Sequence, residues 1–343
     1  MAANVPDVEY HHRGFFGRLP SKPHDLTDRI TPTVQSIVLC HMGIPRLSAA
    51  RWRLDVGGLV ERPIILTQDD LLGFEKKQVT SVHQCAGSPL RPDEPSQRVC
   101  NVVWGGVPLS TILAMAGVRP EAKYLWSQGA DSGEFGNVEC GHYVKDLPLG
   151  QADQNALLAY EMNGAPLLAE HGFPVRLVVP GYYGTNSVKW LQTLTLADTR
   201  ANSPFTKRWY LDPDATGDRT LPVWRTAVQS VIVSPSPEEA NLTPHNAINV
   251  WGWAWGDEGV DRVLVSTDGG RGWEEAALEP QAGHAWRRFR YEWRPSAAGL
   301  YKLASKATSM AGVVQPGEGR RNAVYSIEIV VGEQPHGDTA LRQ

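Results

Sequence analysis

Cysteine is scarce in this chain: four residues, Cys40, Cys85, Cys100 and Cys140, are spread over 343 positions. Disulfide-built domains are dense in paired cysteines and structural zinc sites show C-x-x-C pairs, so the thiols read as reduced and separate. Long apolar runs are missing too. The most hydrophobic stretches, residues 173–179 and 327–331, fall far short of the roughly 20 residues a membrane-spanning helix needs. Positive charge is not in excess, the net charge being −4, and no basic stripe interleaves with aromatics. No nucleic-acid partner is therefore expected. Neither G-x-S-x-G, a Walker loop nor G-x-G-x-x-G occurs, which removes the usual signatures of serine hydrolases and nucleotide binders. The opening MAANVPDVEYHHRGFF lacks an apolar core and a twin-arginine pair, so this form of the chain is expected to be cytoplasmic unless an export signal has been removed. His11 and His12 are expected to lie in a mobile terminus.

What is present is an ordinary globular composition, 42% hydrophobic and 20% charged, on a length that suggests about two domains. From about Ser230 onward, short β-patterned runs alternate with turn residues: 230–233, 247–255, 262–266, 273–278, 286–293, 300–307 and 323–331. Trp251, Trp253 and Trp255 alternate with small residues, so a strand puts all three indoles on one face, either in a sandwich core or on a dimer patch. Asp268-Gly269-Gly270 supplies the positive φ of a tight hairpin. About seven strands in about 100 residues predict an immunoglobulin-like β-sandwich without a disulfide. Residues 30–196 are mixed, with strands expected at 52–56, 78–82, 124–128 and 175–179 and helices at 68–74, 109–116 and 154–160. No strict βαβ rhythm emerges, which predicts an α+β fold rather than a doubly wound sheet. The expected organisation is an N-terminal extension (1–29), a mixed α/β catalytic domain (30–225), the sandwich (226–333) and a tail (334–343).

Two stretches carry chemistry. In SVHQCAGSPL, Cys85 follows a β-type run and precedes the small, bendable Ala86-Gly87-Ser88-Pro89. Packing, nucleophile and metal ligand all remain open for this thiol, although small residues after it let backbone approach a bulky ligand. In HGFPVRLVVPGYYGTNSVKW, a short buried strand runs between His171 with Arg176 and a Gly-rich turn leading to Ser187 and Lys189. Such groups around exposed backbone N–H can hold a phosphate, or can be solvated surface charge.

Taken in order, the Cys-Ala-Gly of 85–87, VVWGGVPLSTIL, LLAYEMNG, HGFPVRLVVPG with SVKWL, and a tryptophan-rich sandwich with VSTDGGRGW closely resemble the sulfite oxidase family of molybdenum enzymes, over about residues 30–331. The resemblance implies molybdenum held by molybdopterin, with Cys85 as the thiolate ligand, a role that suits a soft, deprotonated sulfur. It places Ile37, Val38, Leu39, Cys40 and His41 along the pterin, and Asp131, His171, Arg176, Ser187, Val188 and Lys189 around the pterin and its phosphate. Tyr210 falls at the active-site tyrosine and Trp104 at a tryptophan bordering the pocket. No counterpart of a haem domain is expected in this chain, so electrons would pass to a separate cytochrome, another carrier or dioxygen. The sandwich would mediate a homodimer.

Two positions depart from the family. Its sulfite oxidases carry arginines where this chain has Leu39 and Leu90, and a dianion in a desolvated pocket needs paired cations. Arg91 or Arg98, and Arg320 or Arg321 near the sandwich end, are the candidates for compensation. The expected function is oxygen-atom transfer involving a less charged small molecule, such as an organic sulfur compound. The alternatives are a true sulfite oxidase or dehydrogenase with substitute arginines, a site running in the reducing direction, or a non-catalytic binding or dimerisation module.

Overall fold

Strand-forming residues dominate both halves of the chain, and pairing of buried runs rather than helix packing organises them. The computed structural model describes residues 8–18, 21–88, 98–150, 155–214, 216–239, 242–318 and 320–333. The first half contains two five-stranded sheets. One runs Val138–Pro148, Tyr124–Phe135, Leu191–Ala197, Arg53–Gly58, Ile64–Thr67, with Leu191–Ala197 parallel to Arg53–Gly58 and the other neighbours antiparallel. The other runs Ala165–Pro166, Leu157–Met162, Val99–Pro108, Lys77–Gln84, and Arg176–Val178 also pairs with Leu157–Met162. Leu54, Val56, Leu125 and Leu194 from the first sheet share one core with Val107, Leu158 and Leu177 from the second.

Helices are few among the described residues. Gln68–Leu72 begins at a reciprocal cap: Thr67 Oγ1 accepts from Asp70 N at 3.1 Å and Asp70 Oδ2 accepts from Thr67 N at 2.7 Å. Leu109–Ala116 buries Leu109, Ile112, Leu113 and Ala116, one helical stripe, and stops at Gly117, whose φ of 68° is left-handed. Pro204–Lys207 is a single turn. The helix expected at 154–160 is not there: its described part leads into the strand Leu157–Met162, with Leu157, Leu158, Ala159 and Tyr160 all buried. A short run buried on both faces carries no period that separates strand from helix. Gly106 opposite it has no alternative, since a Cβ there would sit 2.2 Å from the Leu158 carbonyl oxygen. The α+β, mixed α/β expectation is thus corrected to a mostly β architecture. His11 and His12 also differ from expectation, lying in the strand Tyr10–Arg13 paired with Gly43–Pro45.

The second half is a sandwich of two four-stranded sheets, ordered Gln229–Ser234, Ile248–Trp255, Arg287–Trp293, Ala277–Leu278 and Glu274–Glu275, Val260–Ser266, Gly299–Ser309, Ser326–Val331. Val250, Phe289, Val263, Leu303 and Ile329 fill the space between them. Each predicted run has its strand; 273–278 splits, giving one short strand to each sheet. Gly269 and Gly270 take φ of 77° and 91°, and Asp268 Oδ1 accepts from Arg271 N and Gly272 N at 2.9 Å each, closing the hairpin.

The indoles do share a face, but it is neither the sandwich core nor an outer patch. Trp253, Trp255 and Trp286 cluster with Leu26 and Val99 of the first half. Trp253 stacks on Trp286 with centroids 4.8 Å apart, and their Nε1 atoms donate to Leu26 O at 2.6 Å and Arg29 O at 2.9 Å. Trp255 Nε1 donates to Gln84 Oε1 at 2.9 Å, one residue before Cys85. The sandwich therefore braces the strand end that presents this thiol.

Candidate functional site

Cys85 sits where the pairing of Lys77–Gln84 with Val99–Pro108 ends. His83 and Gln84 pair with Cys100 and Val99, and Cys85 N–H still donates to Arg98 O at 2.9 Å. The chain then turns, Ser88 N donating to Cys85 O at 3.1 Å, and Gly87 N–H points at Cys85 Sγ, 3.4 Å away. The sulfur is thus fixed by backbone at the floor of a cleft of about 630 Å³, its open mouth included. Burial pushes the thiol up from its ordinary value; the Gly87 N–H and the Arg98 and Arg321 charges oppose that.

The cleft brings together eleven of the residues that the resemblance singled out: Ile37, Leu39, Cys40, His41, Cys85, Asp131, His171, Arg176, Ser187, Lys189 and Tyr210. Three lie behind it. Val38 packs with Ala130 and Trp190, Val188 belongs to the main core, and Trp104, 1% exposed, lies under Arg176 instead of bordering the cavity. The lining also includes His83, Tyr143, Glu170, Gly184 and Thr185. His83 was legible, because side chains two apart on a strand share a face and it stands two before Cys85. Tyr143 and Glu170 come from distant segments that only folding brings here.

One end of the cleft is cationic. Arg176, 3% exposed, donates Nη1 to His171 O at 3.0 Å and Nη2 to Ser187 O at 2.9 Å and to His83 Nε2 at 3.3 Å. Its Nε is buried without a partner, and its guanidinium lies 4.9 Å from the centre of the Trp104 ring. Burial lowers it to about 10. Lys189 donates to Leu39 O, Glu170 O and Cys40 Sγ at 3.0, 2.9 and 2.9 Å. Among the described residues no carboxylate forms an ion pair with either cation. His171 Nε2 lies 3.3 Å from Thr33 O, a pure acceptor, so that nitrogen carries the proton; burial, then Arg176 and Lys189, lower this histidine to about 3. Asp131 is raised to about 7 by burial, with Lys189 opposing.

At the other end Tyr210 Oη is 2.6 Å from His41 Nε2. Burial, then Lys189 and Lys145, hold His41 down to about 3. Leu39 lines the cavity, whereas Leu90 and Arg91 lie outside the described residues. Arg98 and Arg321 flank the Cys85 turn. Arg98 Nε is buried without a partner, and Arg321 donates to Ala86 O and to Asp212 Oδ1 while lying over the Tyr183 ring. Arg320 and Arg321 also line a second groove beside the hairpin of Leu211–Pro213 and Thr220–Pro222.

A buried cation paired only with neutral acceptors is costly until an anion arrives. Among the described residues no three His, Cys, Asp or Glu side chains cluster in a way that could hold a metal ion. A metal bound by Cys85 would have to bring its remaining donors on an organic carrier, and an anionic carrier fits the cationic end. The cleft thus has the chemistry of a cofactor-holding redox protein rather than of a self-sufficient metal site.

Comparison with known proteins agrees. The family described as oxidoreductase molybdopterin binding domain matches residues 41–205, and the Mo-co oxidoreductase dimerisation domain matches 221–328. Sulfite oxidase of Gallus gallus is 33% identical over 84% of this chain and 68% of its own length; the mitochondrial sulfite oxidase of Mus musculus is 33% identical over 75% and 52%. The sulfane dehydrogenase SoxCD from Paracoccus pantotrophus superposes with a TM-score of 0.79 at 32% identity, covering 90% of this chain and 83% of that one. The chain belongs to the sulfite oxidase family of molybdopterin-binding oxidoreductases. It spans about half the length of the mouse relative.

Proposed function

We propose that this protein is a molybdenum-cofactor oxidoreductase that transfers an oxygen atom involving a small sulfur compound other than sulfite. The observation that carries this is the pairing, in one cleft, of a backbone-fixed thiol with a cationic end where, among the described residues, neither Arg176 nor Lys189 forms an ion pair with a carboxylate. Cys85 would ligate the metal. Arg176, Lys189, His171 and Ser187 would hold the pterin phosphate, with Ile37, Leu39, Cys40, His41 and Asp131 along the pterin. Molybdopterin-bound molybdenum supplies, when present, two-electron oxygen-atom transfer followed by one-electron reoxidation. The chain's own work is to orient that group, exclude water through the buried rings around His41, and bind the substrate beside Tyr210.

Leu39 in the lining supports a less charged substrate than sulfite, because it offers no donor to an oxyanion. The name of the SoxCD relative, a sulfane dehydrogenase, points the same way. The competing reading, sulfite oxidation with substitute cations, is favoured by Arg98 and Arg321 beside Cys85. We further read residues 30–225 as the catalytic unit and 226–333 as an immunoglobulin-like sandwich forming a homodimer, with electrons leaving to a separate carrier. Among the described residues no helix is long and apolar enough to cross a membrane.

The test is direct. Protein from a molybdate-fed host should carry close to one molybdenum and one pterin per chain, and should oxidise an organic thiol or sulfane with a redox dye while turning over sulfite only at high concentration. Sulfite saturation in the micromolar range would replace the proposed substrate by sulfite. Clean apoprotein would remove the enzyme reading altogether.

A further inference from the structure

Tyr210 is held unusually tightly for a residue at the rim of a binding cleft. Its backbone has φ of 59°, in the left-handed region that a bulky side chain adopts only when the surroundings enforce it. Its hydroxyl lies 2.6 Å from His41 Nε2, at the short end for an O–H donor. The imidazole cannot turn away: Phe135 and Phe205 meet it edge-on with centroids 4.7 and 5.4 Å away, Tyr143 stacks at 5.4 Å, and Tyr210 itself completes the cage at 6.0 Å. Lys145 Nζ, donating to Phe205 O at 2.9 Å, lies 4.9 Å from the Tyr210 ring centroid, and Lys189 lines the same cleft.

A second proton on His41 would stand buried among those rings with the Lys189 and Lys145 amines close by, so the ring is neutral and one nitrogen can accept. The phenol beside it keeps its proton, pushed up by burial and then by Cys85, with a hydrogen bond from the Thr185 side chain opposing. We propose that His41 is a positioning residue for Tyr210, its Nε2 accepting the phenolic proton and so leaving the Tyr210 oxygen only to accept, from the Thr185 hydroxyl and from a donor standing in front of Cys85. This rests on the oxidoreductase reading for its consequence and not for its geometry. The consequence is a demand on the substrate at this one oxygen: a group that reaches Tyr210 must offer an S–H, N–H or O–H, or be bridged by a water, whereas a fully deprotonated oxyanion meets a lone pair there. Leu39 in the same lining adds no donor to relieve that repulsion.

The geometry is tested on the full chain without cofactor, by nitrogen NMR of histidine-labelled protein. The expected result is a neutral His41 protonated on Nδ1, with an Nε2 signal that moves to the value of an unbonded acceptor in Tyr210→Phe. Protonation on Nε2, or a signal indifferent to Tyr210→Phe, overturns the proposal whatever the enzyme does. In the loaded enzyme His41→Phe, which fills the cage but cannot accept, should lower kcat by roughly tenfold or more with KM little changed, His41→Gln should restore most of it, and neither should matter further on a Tyr210→Phe background. Additive losses in that cycle would also overturn it. Failure to find any turnover would remove the oxidoreductase reading and leave the NMR result standing.

Discussion

Arg176 Nη2 and His83 Nε2 lie 3.3 Å apart, deep in the cleft, and among the described residues no carboxylate forms an ion pair with either. An arginine donating to an imidazole fixes that imidazole as a neutral acceptor. Burial, then Arg176, His171 and Lys189, hold His83 well below its ordinary value. The pair is therefore a positive charge kept in place by neutral acceptors, the His171 and Ser187 carbonyls included.

Removing that charge should separate stability from cofactor retention. In Arg176→Met the apoprotein should melt no lower than the parent, because an uncompensated buried cation is lost, while pterin bound after gel filtration falls by roughly ten- to a hundredfold, the worth of one or two charge-assisted bonds. Differential scanning fluorimetry and pterin fluorescence read the two effects.

Cys85→Ala should change apoprotein stability by only about 1 kcal/mol or less, since the side chain receives a single long N–H contact and the turn is held by backbone bonds. Bound molybdenum, measured by elemental mass spectrometry, should drop to background. Oxygen transfer should vanish with it.

Two buried groups predict opposite pH slopes in apoprotein stability. Asp131 has a folded value of about 7 against 3.8, so the folded chain holds one extra proton between those limits and stability falls as pH climbs through them. Asp131→Asn should remove that slope, on the order of a few kcal/mol at neutral pH. Lys145, lowered from 10.5 to about 7 by burial, makes the unfolded chain the better proton binder between those values, so stability rises with pH there and Lys145→Met should flatten the rise. Urea titrations from pH 4 to pH 10 check both.

Trp255→Phe keeps one aromatic ring but loses the pyrrole and its N–H, leaving Gln84 Oε1 short of a donor while Gln84 Nε2 still reaches Ser88 O and Gln229 Oε1 at 2.8 Å each. A cost of about 1–3 kcal/mol is expected. Trp253→Ala, which empties the stacked position against Trp286, should cost about 3–5 kcal/mol. Both are read from chemical denaturation.

The turns and strands around the site were legible in the linear chain because alternation and turn chemistry are local, whereas the set of pocket residues, Asp131 and Tyr210 included, was marked only by the resemblance to the sulfite oxidase family. The Cys-Ala-Gly turn, the buried strand before the Gly-rich turn at 181–187, and the hairpin at Asp268 each depend on neighbours a few residues away. Trp104 and Val38, which the resemblance places at the pocket, lie behind its lining for a reason that is not local. Which face of a strand looks into a cavity depends on what packs across it, and Arg176 lies between Trp104 and the space. The helix expected at 154–160 gives way to the strand Leu157–Met162 because a run buried on both sides shows no period.

The order of residues alone settled which chemical groups were available: one thiol after a strand, a cationic stretch ending in Lys189, and a tyrosine near 210, together with the runs that became the sandwich. Tertiary packing alone decided that, among the described residues, Arg176 and Lys189 are held by neutral acceptors without an ion pair, that the indoles brace the two halves rather than fill either core, and that His41 and Tyr210 meet. The physical reason is distance. Propensity and alternation act over a few residues, whereas desolvation and the choice of hydrogen-bond partner are set by atoms that the fold brings from up to 257 positions away.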